Sequence, residues 1–185
     1  MTRKKLILAV VGIVVLTSGI LLAMGRTPWC QCGTIKFWSS DINGPENSQQ
    51  LADPYSFTHV LHGLGFYGLL HIIAPQAAIA TRILTTVAVE SGWEILENTN
   101  FTIDRYRAAT VSNGYYGDSV INSVSDILMM LIGFHFARKL RVRLSVLIFI
   151  LIELGLALLI RDGLLINIVM LLYPLATLKN WQLGI

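Results

Sequence analysis

Charge is scarce in this chain. Asp, Glu, Lys and Arg make up 14% of its 185 residues, where a soluble domain carries about 25%. With 54% hydrophobic residues and a mean hydropathy of +0.63, that shortage excludes an ordinary soluble domain and points to an integral membrane protein. Cysteine is nearly missing as well: Cys30 and Cys32 stand alone in "WCQCG". A bridge across one intervening residue is strained, so metal binding and a labile disulfide both stay open. No internal repeat and no low-complexity tract is visible. Acids are missing from every segment assigned below to the inner side. The formal charge of +3 and pI near 9.0 invite a nucleic-acid partner, but the basic residues are better explained by membrane topology, and no nucleic acid is expected.

What is there is a series of apolar runs. A membrane helix needs roughly 20 apolar residues. The run "LILAVVGIVVLTSGILLAM", residues 6–24, follows Arg3, Lys4 and Lys5. It is longer than a signal-peptide core and lacks a small-residue cleavage site, so it reads as an uncleaved anchor. Residues 25–56 are polar and form a segment outside the membrane. Further spans are expected at Phe57–Ala74, stopping before Pro75, and at Gln76–Glu97, Gly117–Ala137, Leu144–Ile160 and Leu164–Leu178. Residues 98–116 read as a loop. The expected fold is all-α: a polytopic membrane helix bundle of about six transmembrane helices. It forms a single membrane domain over 1–185, with an anchor at 6–24, an outer segment at 25–56 and a five-helix bundle at 57–178. Several spans are short, which implies tilt or a locally thin bilayer.

The basic cluster "RKLRVR", residues 138–143, together with Arg3, Lys4 and Lys5, places the N-terminus and the segment after the fourth span on the cytoplasmic side. Six spans then put both chain ends there. Partners follow from this: membrane lipids, and an envelope protein if the chain belongs to an assembly.

The remaining charges lie at depth. Counting 1.5 Å per helical residue, His62 lies roughly 7 Å inside the outer interface, Glu94 roughly 5 Å, Glu90 roughly 10 Å, Asn122 roughly 7 Å and Asp126 roughly 14 Å. His59 and His62 are three apart; Glu90, Glu94 and Glu97 are spaced four and three; Asp118, Asn122 and Asp126 are spaced four and four. Residues three and four apart share a helix face. Three polar stripes thus enter from one side, and hydrocarbon cannot be what they face. Turned onto one another they form a functional-site candidate.

Three chemistries suit it. Two carboxylates in one dry site divide into an acid and a base, with Glu90 and Asp126 as the deepest pair and Glu94 beside them. Imidazole with carboxylate suits a divalent metal ion, with His59, His62 and Asp118 as ligands. The Glu-x-x-His pairs of di-metal bundles are missing. The third possibility is a structural network, with Arg105, Arg107 and Asn122 neutralising the acids. In an enzyme those same three would hold an anionic head group. His71, His135 and Glu153 read as structural, Glu153 pairing with Arg82 or His71.

The stretches "CQCGTIKFW", "NSQQLADPYSFTHVLHGLGFYGLL", "ESGWEILENTNFTIDRYRAATVSNGYYGDSVINSVSDIL" and "LLINIVMLLYP" together resemble an uncharacterised family of small multi-pass bacterial inner-membrane proteins, over nearly all of the chain after residue 28. The resemblance implies architecture and location and no activity; the topology above turns the polar site to the periplasm. A weaker resemblance is to the VanZ-like membrane proteins, through Asp53, His62, Glu90, Arg105, Asp118 and Asn122. The chain departs from that pattern at Glu94 and by adding Asp126. The VanZ likeness implies a cell-envelope role. A hydrolase or transferase on a lipid or envelope substrate, a metal-ion or small-solute binding or transport protein, and a structural envelope partner are the three functions these readings allow.

Overall fold

The computed structural model describes residues 1–112 and 114–185. Among them are eight helices and no strand: α1 (Arg3–Ala23), α2 (Ser56–Ile73), α3 (Ile79–Glu97), α4 (Asn100–Ala109), α5 (Val120–Lys139), α6 (Val142–Ile160), α7 (Leu164–Leu172) and α8 (Ala176–Leu183). Side-chain caps start several of them. Thr99 Oγ1 accepts from the Thr102 amide at 3.3 Å and Ser119 Oγ from the Asn122 amide at 3.3 Å, satisfying donors that a helix start leaves open. The other end of α2 is closed by a cation. Arg82, on α3, donates Nε to the Ala77 carbonyl at 3.1 Å and Nη2 to those of Ala74 and Pro75 at 3.1 and 2.7 Å. A positive group suits the negative end of a helix dipole. Arg82 is therefore spent on the main chain, and the expected Arg82–Glu153 pair does not form.

α2 and α5 are the central pair, and two glycines set how closely they approach. A Cβ on Gly63 would run into the Met130 carbonyl and the Phe134 amide, and one on Gly133 into the Val60 carbonyl. Small residues allow such backbone contact between membrane helices. Around this seam, Val87, Ile127, Met130 and Phe134 form a buried cluster with Val10, Ile13 and Val14 of α1 packed against it. Leu61, Leu64 and Ala137 pack against Ile148, Phe149 and Ile152 of α6.

Among the described residues three helices, rather than the six expected, are long and apolar enough to cross a membrane: α1, α5 and α6. The shortfall has plain causes. α2 carries His59, His62 and His71, and α3 carries Arg82, Glu90, Glu94 and Glu97. The last expected span, Leu164–Leu178, is broken around Pro174 into the nine-residue α7 and the eight-residue α8, because proline disfavours helix in the residue before it. The loop expected over 98–116 contains a helix, α4, nucleated by the Thr99 cap.

The final segment also corrects the expected position of the C-terminus. Lys179 Nζ donates to the Ala108 carbonyl at 2.8 Å, and Arg105 Nε to that of Leu171 at 2.8 Å. The C-terminal helices therefore lie at the α4 end of the bundle, opposite the α5–α6 turn that carries the basic cluster. Their turn-back is organised by Glu153. Its carboxylate accepts from the Leu164 and Leu165 amides at 3.0 and 3.3 Å, which caps the start of α7. The structural role expected for Glu153 thus has a partner that sequence spacing did not suggest.

Asp162 sits in the same turn. It accepts from the Tyr55 hydroxyl at 3.0 Å and the Gly163 amide at 2.9 Å. Burial pushes its carboxyl up from 3.8 to about 6, with the Gly163 amide and Tyr55 hydroxyl pulling the other way. A raised carboxyl pKa means that the folded form holds the proton more tightly. The stability it contributes is full below about pH 4, falls as pH rises towards 6, and is gone above that. Asp162→Asn keeps an acceptor for Gly163 and removes the ionisation. We expect it to be more thermostable than wild type at pH 7, by on the order of 1–3 kcal/mol, with the difference closing at pH 4 in detergent-solubilised unfolding scans. A pH-independent difference would assign the effect to packing instead.

Candidate functional site

The polar stripes of α2, α3 and α5 do meet, and the meeting point is histidine. His59 on α2 has its Nδ1 2.6 Å from Glu90 Oε1 and 3.5 Å from Glu94 Oε1, both on α3. On the opposite edge of the ring, Nε2 is 3.7 Å from Asp126 Oδ2 on α5. One turn along α2, His62 Nδ1 is 3.0 Å from both Glu90 oxygens. The rings of His59 and His62 stand edge to face at 5.0 Å, and His62 stacks on Phe66 at 5.7 Å. Glu90 and Glu94 have no exposure to solvent, and Asp126 has 4%.

One carboxylate therefore orients two imidazoles. A carboxylate accepts only, so each Nδ1 facing Glu90 carries the hydrogen. In the neutral ring the lone pair is then on Nε2. For His59 that lone pair faces Asp126 across 3.7 Å, too far for a hydrogen bond. Two ligands of one zinc ion, each bound at roughly 2.0–2.1 Å, can stand no more than about 4.2 Å apart. The His59–Asp126 gap fits that case.

The acids behind and beside His59 are incompletely matched. Neither carboxylate oxygen of Glu94 has a hydrogen-bond partner among the described residues, and neither has Asp126 Oδ1. Leaving buried carboxylates unpaired costs several kcal/mol each. A bound cation would supply the missing charge. Two overlapping groups can offer three ligand atoms within 4.8 Å of one another: His59, His62 and Glu90, and His59, Glu94 and Asp126. In the first group the nitrogens nearest Glu90 already donate hydrogen bonds to it. In the second, Nε2 of His59 stays free and faces Asp126, while Glu94 approaches the Nδ1 edge of the ring.

The other expected site residues are nearby but occupied. Asp118 accepts from Asn98 Nδ2 at 2.8 Å and the Tyr115 hydroxyl at 2.9 Å, outside both ligand groups. Burial raises its carboxyl pKa, opposed by those two hydrogen bonds. Asn122 donates to the Gln50 carbonyl at 3.0 Å. Arg105 and Arg107 give their Nε protons to the carbonyls of Leu171 and Tyr115 at 2.8 and 2.5 Å. Neither arginine lines the cavity described below. Of the positions matched by the VanZ resemblance, His62 and Glu90 are in direct contact, whereas Arg105 is turned to the main chain.

Sequence reasoning missed the part played by residues 47–53. Gln49 and Gln50 are fully buried, and Asp53 is nearly so. The segment runs across the start of α5. Ser119 donates its amide to the Ser48 carbonyl at 3.0 Å and its hydroxyl to that of Gln49 at 2.9 Å, while Gln49 Nε2 reaches the Gly117 carbonyl at 2.7 Å. Burial, then the charge of Asp118, pushes the Asp53 carboxyl up to about 6. The sequence placed residues 25–56 outside the membrane by their polarity and singled out Asp53 through the VanZ resemblance, but gave no sign that the run "NSQQLAD" is buried.

A cavity of about 500 Å³ adjoins the cluster, within the usual range for small-molecule sites. His59, His62 and Asp126 line it, while Glu90 and Glu94 lie behind them. Cys30 and Cys32, at the polar end of the bundle, are joined as a disulfide.

A family model described as a protein of unknown function (DUF2585) matches residues 21–184. The chain belongs to this family. Family members named UPF0314 proteins include one from Paracoccus denitrificans, 48% identical over 170 residues that cover 92% of this chain and 88% of that protein. Another, from Sphingopyxis alaskensis, is 44% identical over 177 residues, 96% of this chain and 94% of the relative. A third, from Rhizobium johnstonii, is 43% identical over 174 residues, 94% and 89% of the two chains. No solved structure matches.

Proposed function

We propose that this family member is an integral inner-membrane protein that holds a divalent metal ion between α2, α3 and α5. His59, Glu94 and Asp126 are the ligands, and Glu90 orients His59 and His62 from behind. α2 and α3 pack among the three helices apolar enough to span, so they travel with them into the bilayer. The basic residues at the N-terminus and the α5–α6 turn favour the cytoplasm for that end, which turns the site, at the α4 end, to the periplasm. The observation that carries the metal reading is the pair of unpartnered Glu94 oxygens beside a histidine whose free nitrogen faces Asp126 at 3.7 Å. A network serving only to lock helices gains most when each of its buried acceptors is matched.

Imidazole with carboxylates suits zinc, manganese or iron. Three protein ligands beside a cavity, with a coordination position left for substrate or water, is the arrangement of catalytic rather than structural zinc. The reaction class it supports is hydrolysis or group transfer on a lipid or other envelope substrate. Capture of the ion for transport is the second reading, but below Asp126 the remaining ionisable groups leave no continuous polar route: Arg82 is bound to carbonyls, and His71 stacks on Tyr67.

Elemental analysis of detergent-purified protein tests the site. We expect about one transition-metal ion per chain in the wild type, and loss of it in His59→Gln and Asp126→Asn with the folded yield retained. Wild-type protein without stoichiometric metal, after growth with zinc, manganese and iron supplied, would remove the ion from the proposal.

A further inference from the structure

The cavity has two chemically distinct ends. At one, Phe66, Trp93, Phe149 and Leu164 form an apolar wall. Val89 of α3 and Leu165 and Ile168 of α7 line it too, and these three are also exposed at the protein surface, at 49%, 53% and 44%. The cavity therefore opens sideways between α3 and α7, through an apolar rim. At the other end the lining is Asn47, Ser48, Tyr55, Ser112 and Asn167, with Glu97 and Asp118. These groups offer hydroxyls, amides and carboxylates. Among the described residues no lysine or arginine lines any part of it.

That lining excludes the anionic head group that Arg105 and Arg107 were expected to hold. A phosphate or sulfate at the end lined by Asn47, Ser48 and Tyr55 would meet Glu97 and Asp118 with no lysine or arginine to compensate, and like-charge juxtaposition costs several kcal/mol. Of the carboxylates lining the cavity, Asp126 serves the proposed ion and Asp118 is engaged by Asn98 and Tyr115, which leaves an ammonium head group Glu97 alone. Groups that both donate and accept, as serine, tyrosine and asparagine side chains do, match hydroxyls.

We propose that the cavity binds a single-chain amphiphile with an uncharged, hydroxyl-bearing head group. It enters from the bilayer between α3 and α7 with its chain against Phe66, Trp93 and Phe149. Its head group lies among Tyr55, Asn47 and Asn167, within reach of His59 and Asp126. The inference rests on the membrane placement and shared site proposed above, and names the substrate class for it.

The test uses full-length protein in lipid nanodiscs and three photoreactive probes with the same diazirine-bearing chain: a monoacylglycerol, a lysophosphatidic acid and an alkylammonium. Labelled peptides are mapped by mass spectrometry. We expect the monoacylglycerol to label α3 and α7 peptides at least about tenfold more than either charged probe. Ile168→Trp, which narrows the opening and touches no proposed ligand, should cut that labelling at least about fivefold and leave metal content unchanged. Equal or stronger labelling by a charged probe overturns the head-group assignment. Labelling that ignores Ile168→Trp overturns the lateral route. Metal content is measured on the same preparations, so selective labelling of metal-free protein would sink the ion and leave this proposal standing. Metal-replete protein that shows no selectivity would do the reverse.

Discussion

Gly63→Val will leave almost no folded protein in a detergent extract. The added atoms have nowhere to go: the Met130 carbonyl and Phe134 amide already occupy the space of the first of them. Overpacking a core costs about 1–3 kcal/mol when side chains can move aside, and here the obstacle is the main chain of a helix. A typical domain has only about 5–15 kcal/mol to lose. The consequence reaches the site, because the seam sets the distance between its two halves. His59 is one turn from Gly63 on α2, and Asp126 one turn from Met130 on α5. Forcing the helices apart would widen the 3.7 Å gap between His59 Nε2 and Asp126 Oδ2. Gly68→Val is the control, since a Cβ there meets nothing within 4 Å. Yield and size-exclusion profile read the outcome. If Gly63→Val accumulates as Gly68→Val does, the glycine seam does not set the packing of α2 on α5.

Glu90→Gln will weaken the proposed metal binding about 10- to 100-fold, the usual cost of losing a residue that orients a ligand histidine, while the folded yield stays near wild type. Glu90 accepts from both imidazoles, with Nδ1 of His59 at 2.6 Å and of His62 at 3.0 Å. Glutamine has one acceptor oxygen, and its amide nitrogen would face a donor. One of the two rings must then turn or change tautomer, which moves the lone pair away from the ion. Titration with cobalt(II) separates this positioning role from direct ligation. An unchanged visible absorption envelope with weaker affinity is the expected result. A changed envelope would make Glu90 a ligand and favour the His59, His62 and Glu90 group instead.

The cost of burying charge made much of this site readable. Stripes at helical spacing on three segments, entering from one side, had to face one another, and His59, His62, Glu90, Glu94 and Asp126 do meet. The roles within the cluster were harder to read. Glu90 was expected to work as an acid or base beside Asp126; the contacts it makes are with His59 and His62, which spacing could not specify because they depend on ring angles. Asp118 and Asn122 were expected on one stripe with Asp126, yet Asp118 lies just ahead of the Ser119 cap of α5, where Asn98 and Tyr115 engage it, and Asn122 is taken by the Gln50 carbonyl. Arg105 and Arg107 looked like anion ligands by charge alone. Their geometry serves carbonyls left open at the ends of helices and turns. Pro174 was visible, but a single apolar run through it outweighed the break.

α7 is fastened at both ends, to Glu153 at its first amides and to Arg105 at the Leu171 carbonyl. These ties oppose a swing of the helix as a gate. By the route proposed above, admission beside it depends on the rotamers of Leu165 and Ile168, which interconvert on the picosecond-to-nanosecond scale at exposed positions. Exchange with the bilayer should then be limited by the ligand's own release rather than by a protein motion. A single-exponential washout whose rate follows chain length is the kinetic signature of such a fixed slot.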